Sequence, residues 1–187
     1  MARGQFPLAG IMAALVALTS MAFVGAPLAE EQGTPLLPGG ASSLSETYGD
    51  WTVSCVLVAL ETGQGSRCAL TQRQVNGQGQ QILAVELRPI ESGLSGLMVL
   101  PFGLAVAEQV SFSIDESATI TQAPFSTCLS AGCLVPIELE SSVVSGLRVG
   151  GVLGVSIPTP AGTSVEMTVS LIGISLAIDR VAELTAG

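Results

Sequence analysis

From residue 50 onward the chain repeats one pattern. Short runs of apolar and β-branched side chains alternate with breaks of Gly, Pro, Ser and Asn. "QQILAVELR" sets Leu83, Val85 and Leu87 on one face and Glu86 and Arg88 on the other. "QVSFSID" sets Val110, Phe112 and Ile114 against Ser111 and Ser113. "TSVEMTVSL" alternates Val165, Met167, Val169 and Leu171 with Ser164, Glu166, Thr168 and Ser170. "DWTVSCVLV", "SRCALTQRQV", "GLMVLP", "SATITQ" and "GGVLGVSIP" are further β-prone runs, and Pro136 in "CLVPIELE" marks an edge or a bulge. A side-chain period of two, in short runs with turns between them, predicts an all-β, antiparallel sandwich or barrel. Two stretches change period. "GISLAIDRVAEL" places Ile174, Ala177, Ile178, Val181 and Leu184 at helical spacing, which predicts a short C-terminal helix on the sandwich. "ELESSVVSGLRVG" is a second, shorter helical candidate.

The pattern is absent before residue 48. Residues 8–26, "LAGIMAALVALTSMAFVGA", form an uncharged apolar run after Arg3, and "PLAEE" follows. This reads as a signal peptide over 1–29, cleaved near Ala29 or after Ala26, with an uncleaved membrane anchor as the other reading. No Cys sits at the junction, so no lipoprotein anchor is expected. Residues 30–47, "EEQGTPLLPGGASSLSET", have linker composition and are expected to be disordered. The sandwich is expected over 48–187, with membrane contact only through the signal segment.

Charge narrows the partners. Six basic residues face fifteen acidic ones, a formal charge of −9, and this excludes a phosphate-neutralising nucleic-acid surface. An anionic membrane surface repels the same charge. The chain has no His, and every basic residue is Arg. That removes Ser-His-Asp, Cys-His and Ser-Lys nucleophiles, Schiff bases and His metal sites. "GLSGL" (93–97) lacks the spacing of a nucleophile elbow, and "GLRVGGVLG" lacks a phosphate-loop Lys. Asp115 and Glu116 are read as a solvated turn rather than a Ca²⁺ site or an acid/base couple, and Trp51 as core rather than a sugar platform. No catalytic residue, metal or cofactor is expected, and no enzyme.

The cysteines are Cys55, Cys68, Cys128 and Cys133. After export, an even set in an oxidising compartment is expected to form disulfides. The expected connectivity is local, Cys55–Cys68 and Cys128–Cys133. A redox dithiol at Cys128 and Cys133 is the competing reading. It lacks the two-residue spacer, the helix N-terminus and the neighbouring cation that lower a thiol pKa. A Cys₄ zinc site needs two close pairs, and Cys55 and Cys68 are too far apart to be one.

Taken in order, "DWTVSC", "CALTQRQV", "LMVLPFGLAVAEQVSFSID", "PFSTCLSAGC" and "MTVSLIGISLAI" resemble the invasion-associated locus B family, exported proteins of alphaproteobacteria. The resemblance runs from about residue 48 to 180. The family's four-cysteine layout lands on Cys55, Cys68, Cys128 and Cys133, and its Pro-Gly turn on Pro101 and Gly103. It implies an immunoglobulin-like β-sandwich in the periplasm or at the cell surface, associated with virulence. It defines no catalytic residue, so the function it implies is binding, to an unknown protein or envelope partner.

Overall fold

The computed structural model describes residues 37–61 and 63–185. All of them fall within the unit Gly33–Gly187. The expected signal segment, and the expected linker as far as residue 36, lie outside the described residues.

The strands are β1 (Ser43–Tyr48), β2 (Trp51–Leu60), β3 (Gly63–Val75), β4 (Gln81–Ile90), β5 (Gly93–Leu100), β6 (Gln109–Ile114), β7 (Thr121–Pro124), β8 (Thr127–Leu129), β9 (Gly132–Glu140), β10 (Val152–Pro158) and β11 (Ser164–Ser170). The helices are α1 (Ser141–Val149) and α2 (Ile174–Thr185). Seven strands form a large sheet in the order β1-β2-β3-β4-β5-β9-β8, and four form a small one in the order β11-β10-β6-β7. Every pairing is antiparallel. The all-β antiparallel sandwich with a C-terminal helix is thus the observed architecture.

Alternation along the strands builds one core. The large sheet turns Trp51, Val53, Leu70, Leu83, Val85, Leu87, Met98 and Val135 inward. The small sheet answers with Val110, Phe112, Leu153, Val155, Ile157 and Val169. Each such side chain contributes about 2 kcal/mol on leaving water. Helix α2 packs against β1 to β4 and adds Ile174, Ala177, Ile178 and Val181 to the same core. Helix α1 packs against β5 and β9.

One buried polar side chain ties the sheets together. Gln72, on the inner face of β3, accepts from the Ser170 N–H (3.2 Å) and donates to the Ser170 carbonyl (3.0 Å). The Trp51 indole N–H donates to the same carbonyl (2.9 Å). The chain then turns straight into α2. Gly173, at φ +87°, lies on the Tyr48 carbonyl and the Gly49 nitrogen, where a Cβ has no room. Asp50 N donates to the Ile172 carbonyl (3.1 Å). The helix is also latched to β1. Arg180 donates to both oxygens of Glu46 (2.8 and 3.0 Å), and the Tyr48 hydroxyl donates to Glu46 as well (2.8 Å). The Arg180 hydrogen bonds, and after them the Tyr48 hydroxyl, hold the Glu46 carboxyl below its ordinary value. The same contact pushes the Tyr48 phenol up.

The expected linker over 30–47 needs correction at its C-terminal end. Leu37 is buried and bridges to Ala41, and β1 begins at Ser43. β1 is polar because only one of its faces meets the core. Its strand character comes from full-length pairing with β2.

Gln72→Leu leaves the Ser170 N–H without its partner. It is expected to cost about 2 kcal/mol in urea unfolding without changing the fold by circular dichroism. Glu46 gives a pH signature. Its pKa is lowered in the folded state, so its stabilisation is complete above the ordinary value of 4.5 and is lost as pH falls through the lowered one. The unfolding midpoint of the native chain should drop on acidification below that range. Glu46→Gln should start lower at neutral pH and converge with the native chain in acid.

Candidate functional site: the disulfide-pinned end of the large sheet

The four cysteines form two bridges, Cys55–Cys68 and Cys128–Cys133, and none is free. In each pair the residues stand directly opposite one another in the ladder, across β2 and β3 and across β8 and β9. Their surroundings differ. Cys55 and Cys68 lie in the core, 1% and 4% exposed. Cys133 is buried, whereas Cys128 is exposed on the three-residue strand β8.

The second bridge closes the hairpin tip that carries Ser130 and Ala131. Gly132, at φ +137°, packs onto the Leu100 carbonyl and the Val99 side chain, where a Cβ does not fit. The tip is therefore fixed to the end of β5. Leu100 pairs with Cys133, and the chain leaves the sheet through Pro101 and Gly103, the latter at φ +89°. The connection is anchored once more by Ala105 N donating to the Pro158 carbonyl (2.9 Å). Between these fixed points stands Phe102, 62% exposed, and just beyond them Val106, 49%. Leu129, at the tip of β8, is 55% exposed. These large apolar side chains, held out into water by a rigid frame, make this end the candidate site.

The other candidates resolve into structural roles. Trp51 is 1% exposed and forms part of the clip at Ser170. Asp115 and Glu116 occupy left-handed backbone, at φ 47° and 59°. They do not converge on a ligand. The Asp115 carboxylate accepts from Gly151 N (2.9 and 3.1 Å) and Val152 N (2.9 Å), tying the turn after β6 to the start of β10. "GLRVGGVLG" runs from α1 into β10, and Gly150 and Gly151 lie against Asp115. Ser95 of "GLSGL" sits within β5, opposite Arg88 and Glu138. A hollow of about 790 Å³ over the small sheet is lined by Ser113, Asp115, Glu116, Gly154, Glu166 and Thr168. Two of its carboxylates are already engaged, Asp115 with backbone and Glu166 with the Ser156 hydroxyl (2.6 Å). Among the described residues, no three His, Cys, Asp or Glu side chains are placed to share a metal ion. No described helix is long and apolar enough to cross a membrane.

The family model for "Invasion associated locus B (IalB) protein" matches residues 51–182. The chain belongs to the IalB family. It is 40% identical over 152 residues to an invasion protein B homolog of Brucella abortus (strain 2308), covering 80% of this chain and 85% of that one. It is 32% identical over 180 residues to invasion protein B of Bartonella bacilliformis, covering 93% and 95%. Among solved structures it resembles invasion associated protein B from Bartonella henselae, with a TM-score of 0.68 and 31% identity over 76% of this chain and 97% of that one.

The two bridges of this IalB-family chain should differ in both stability and reactivity. By loop-closure entropy, replacing Cys55 and Cys68 by Ser is expected to cost about 3 kcal/mol, and replacing Cys128 and Cys133 about 2. Limited reduction of the native protein, followed by alkylation and mass spectrometry, should label Cys128 and Cys133 first, because a thiol reagent reaches Cys128 without unfolding the core.

Proposed function

We propose that this IalB-family protein is exported and acts by binding, without catalysing a reaction, in the bacterial envelope or at the cell surface. The observation that carries the reading is the exposure of Phe102 and Leu129 at the end of the sheet fixed by Cys128–Cys133. Docking onto a frame already held in one shape costs little conformational entropy. Two disulfides in a chain of this size support an oxidising compartment, hence the periplasm or beyond. The relatives from Brucella and Bartonella are named as invasion proteins, which supports a partner met in the envelope or on a host cell.

A second reading is favoured by one observation, the exposure of Cys128. In that reading Cys128–Cys133 exchanges with thiols of other exported proteins.

Envelope extract and host-cell membrane extract, each passed over the immobilised protein, separate the two. Under the binding reading the native chain retains a discrete partner, and Cys128→Ser/Cys133→Ser retains the same partner more weakly, because the frame is no longer pinned. Phe102→Ser/Leu129→Ser loses it, and no retained protein is released by reductant. Equal retention by Phe102→Ser/Leu129→Ser removes the apolar end as the site. Mixed disulfides trapped on Cys128 would establish the exchange reading instead.

A further inference from the structure

We infer that β1 is an open sheet edge that accepts β1 of a second copy of this chain, antiparallel, so that two large sheets join into one.

Among the described residues β1 is paired on one side only, to β2. At one end the pairing closes at Tyr48 and Trp51 around the two-residue Gly49–Asp50 turn. At the other, Leu57 N donates to the Ser42 carbonyl (3.0 Å). In an antiparallel ladder every second residue bonds the neighbouring strand, and the residues between turn their N–H and C=O away. Ser42, Leu44, Glu46 and Tyr48 therefore make the ladder to β2. Ser43, Ser45 and Thr47 present their backbone groups outward, and among the described residues nothing bonds to them.

The other margins are blunted. Beyond the three residues of β8, the free side of β9 is even-numbered, because Ser126 N bonds the Leu134 carbonyl (2.8 Å). Its next positions are Pro136, which has no N–H, and the charged Glu138 and Glu140. β7 is four residues long and ends in Pro124. β11 turns its even positions outward, since Leu171 N bonds the Gly151 carbonyl. There Gln72 takes both groups of Ser170, Gln74 donates to the Thr168 carbonyl, and Glu166 is charged. β1 has none of these devices. It is six residues long, in unbroken register, and its outward positions are Ser, Ser and Thr.

Those residues match themselves. A two-fold axis at Ser45 sets Ser45 opposite Ser45 and Ser43 opposite Thr47, hydroxyl against hydroxyl on the outer face. On the inner face Leu44 meets Glu46, whose carboxylate is already neutralised by Arg180. Arg180 also pairs with Glu183 (3.1 Å), so the charges beside the axis are one guanidinium and two carboxylates, both in contact with it. The interface is small, so the association is reversible, with a Kd of roughly 10–100 μM.

The test is sedimentation velocity and amide hydrogen exchange on the exported, purified protein from about 5 to 500 μM, a range that brackets this Kd. The mass should rise toward twice the monomer. Exchange at Ser43, Ser45 and Thr47 should slow about tenfold with concentration, while Leu44 and Glu46, already bonded to β2, stay unchanged. Ser45→Pro removes only an outward donor and Ser45→Lys adds a charge on the edge. Both should remain monomeric with an unchanged melting temperature. A native chain that stays monomeric, or a dimer that survives both substitutions, overturns the inference. Protection of the three amides independent of concentration would give the edge to this chain's own N-terminal residues, and protection gained only with envelope extract would give it to another protein. Either result also overturns it.

Discussion

Four consecutive residues hold this fold in register. At Ser170 the small sheet is clipped to the large one by Gln72 and Trp51. Leu171 N still bonds the Gly151 carbonyl, Ile172 accepts from Asp50, and Gly173 lies on the Tyr48 carbonyl before α2 begins. Within that span the chain leaves one sheet, touches the β1–β2 turn of the other and starts the helix that covers it. A sandwich core is non-directional, since apolar area is satisfied by many sheet offsets. Directional bonds at 170–173 select one of them. At Ser170 they use two buried side chains, Gln72 and Trp51, with their partners present, the condition under which such groups specify a structure rather than weaken it.

The strands with a wet face and a dry face were legible from alternation alone. β4, β6 and β11 show a period of two, and α2 shows its helical spacing. β1 was not legible, because "SLSETY" carries little apolar signal and follows a Gly- and Pro-rich stretch. The available signal was local. The Gly-Asp pair in "YGDW" sits between Tyr48 and Trp51 and suits a two-residue hairpin, which turns the residues before it into a strand. Pro136 was legible as an edge marker, and the structure supplies the cause: β8 stops pairing at Leu134, so at Pro136 the far side of β9 is bare.

The site was legible only in its chemistry. The cysteines stand out in the sequence, and their bridges follow from two short hairpins that place each pair in direct opposition. Phe102 and Leu129 could not be recognised, because an apolar residue in an apolar run reads as core. Only the turn at Pro101–Gly103 and the short span of β8 push them into water. Gln72 hid in the opposite way. In "CALTQRQV" the inward positions run Cys68, Leu70, Gln72 and Gln74. The switch from apolar to amide marks where the inner face of β3 leaves the core and meets the backbone of β11.

The open edge and the apolar end are compatible because they lie at opposite margins of the large sheet, β1 at one and β8 at the other. Joining two copies through β1 therefore covers neither Phe102 nor Leu129. At about 4.8 Å per strand, the two β8 hairpins of a joined sheet stand roughly 60 Å apart along the ladder. Such a pair presents two copies of a rigid, modestly sized apolar surface. Two weak contacts made at once behave as an intramolecular second step, and the gain depends on spacing rather than on any new contact. The same logic accounts for leaving one edge unblunted where three others are closed. An unguarded strand is an aggregation liability when any partner will do. It becomes a usable interface when its outward residues are few and uncharged, and when the Glu46 carboxylate on its inner face is already held by Arg180.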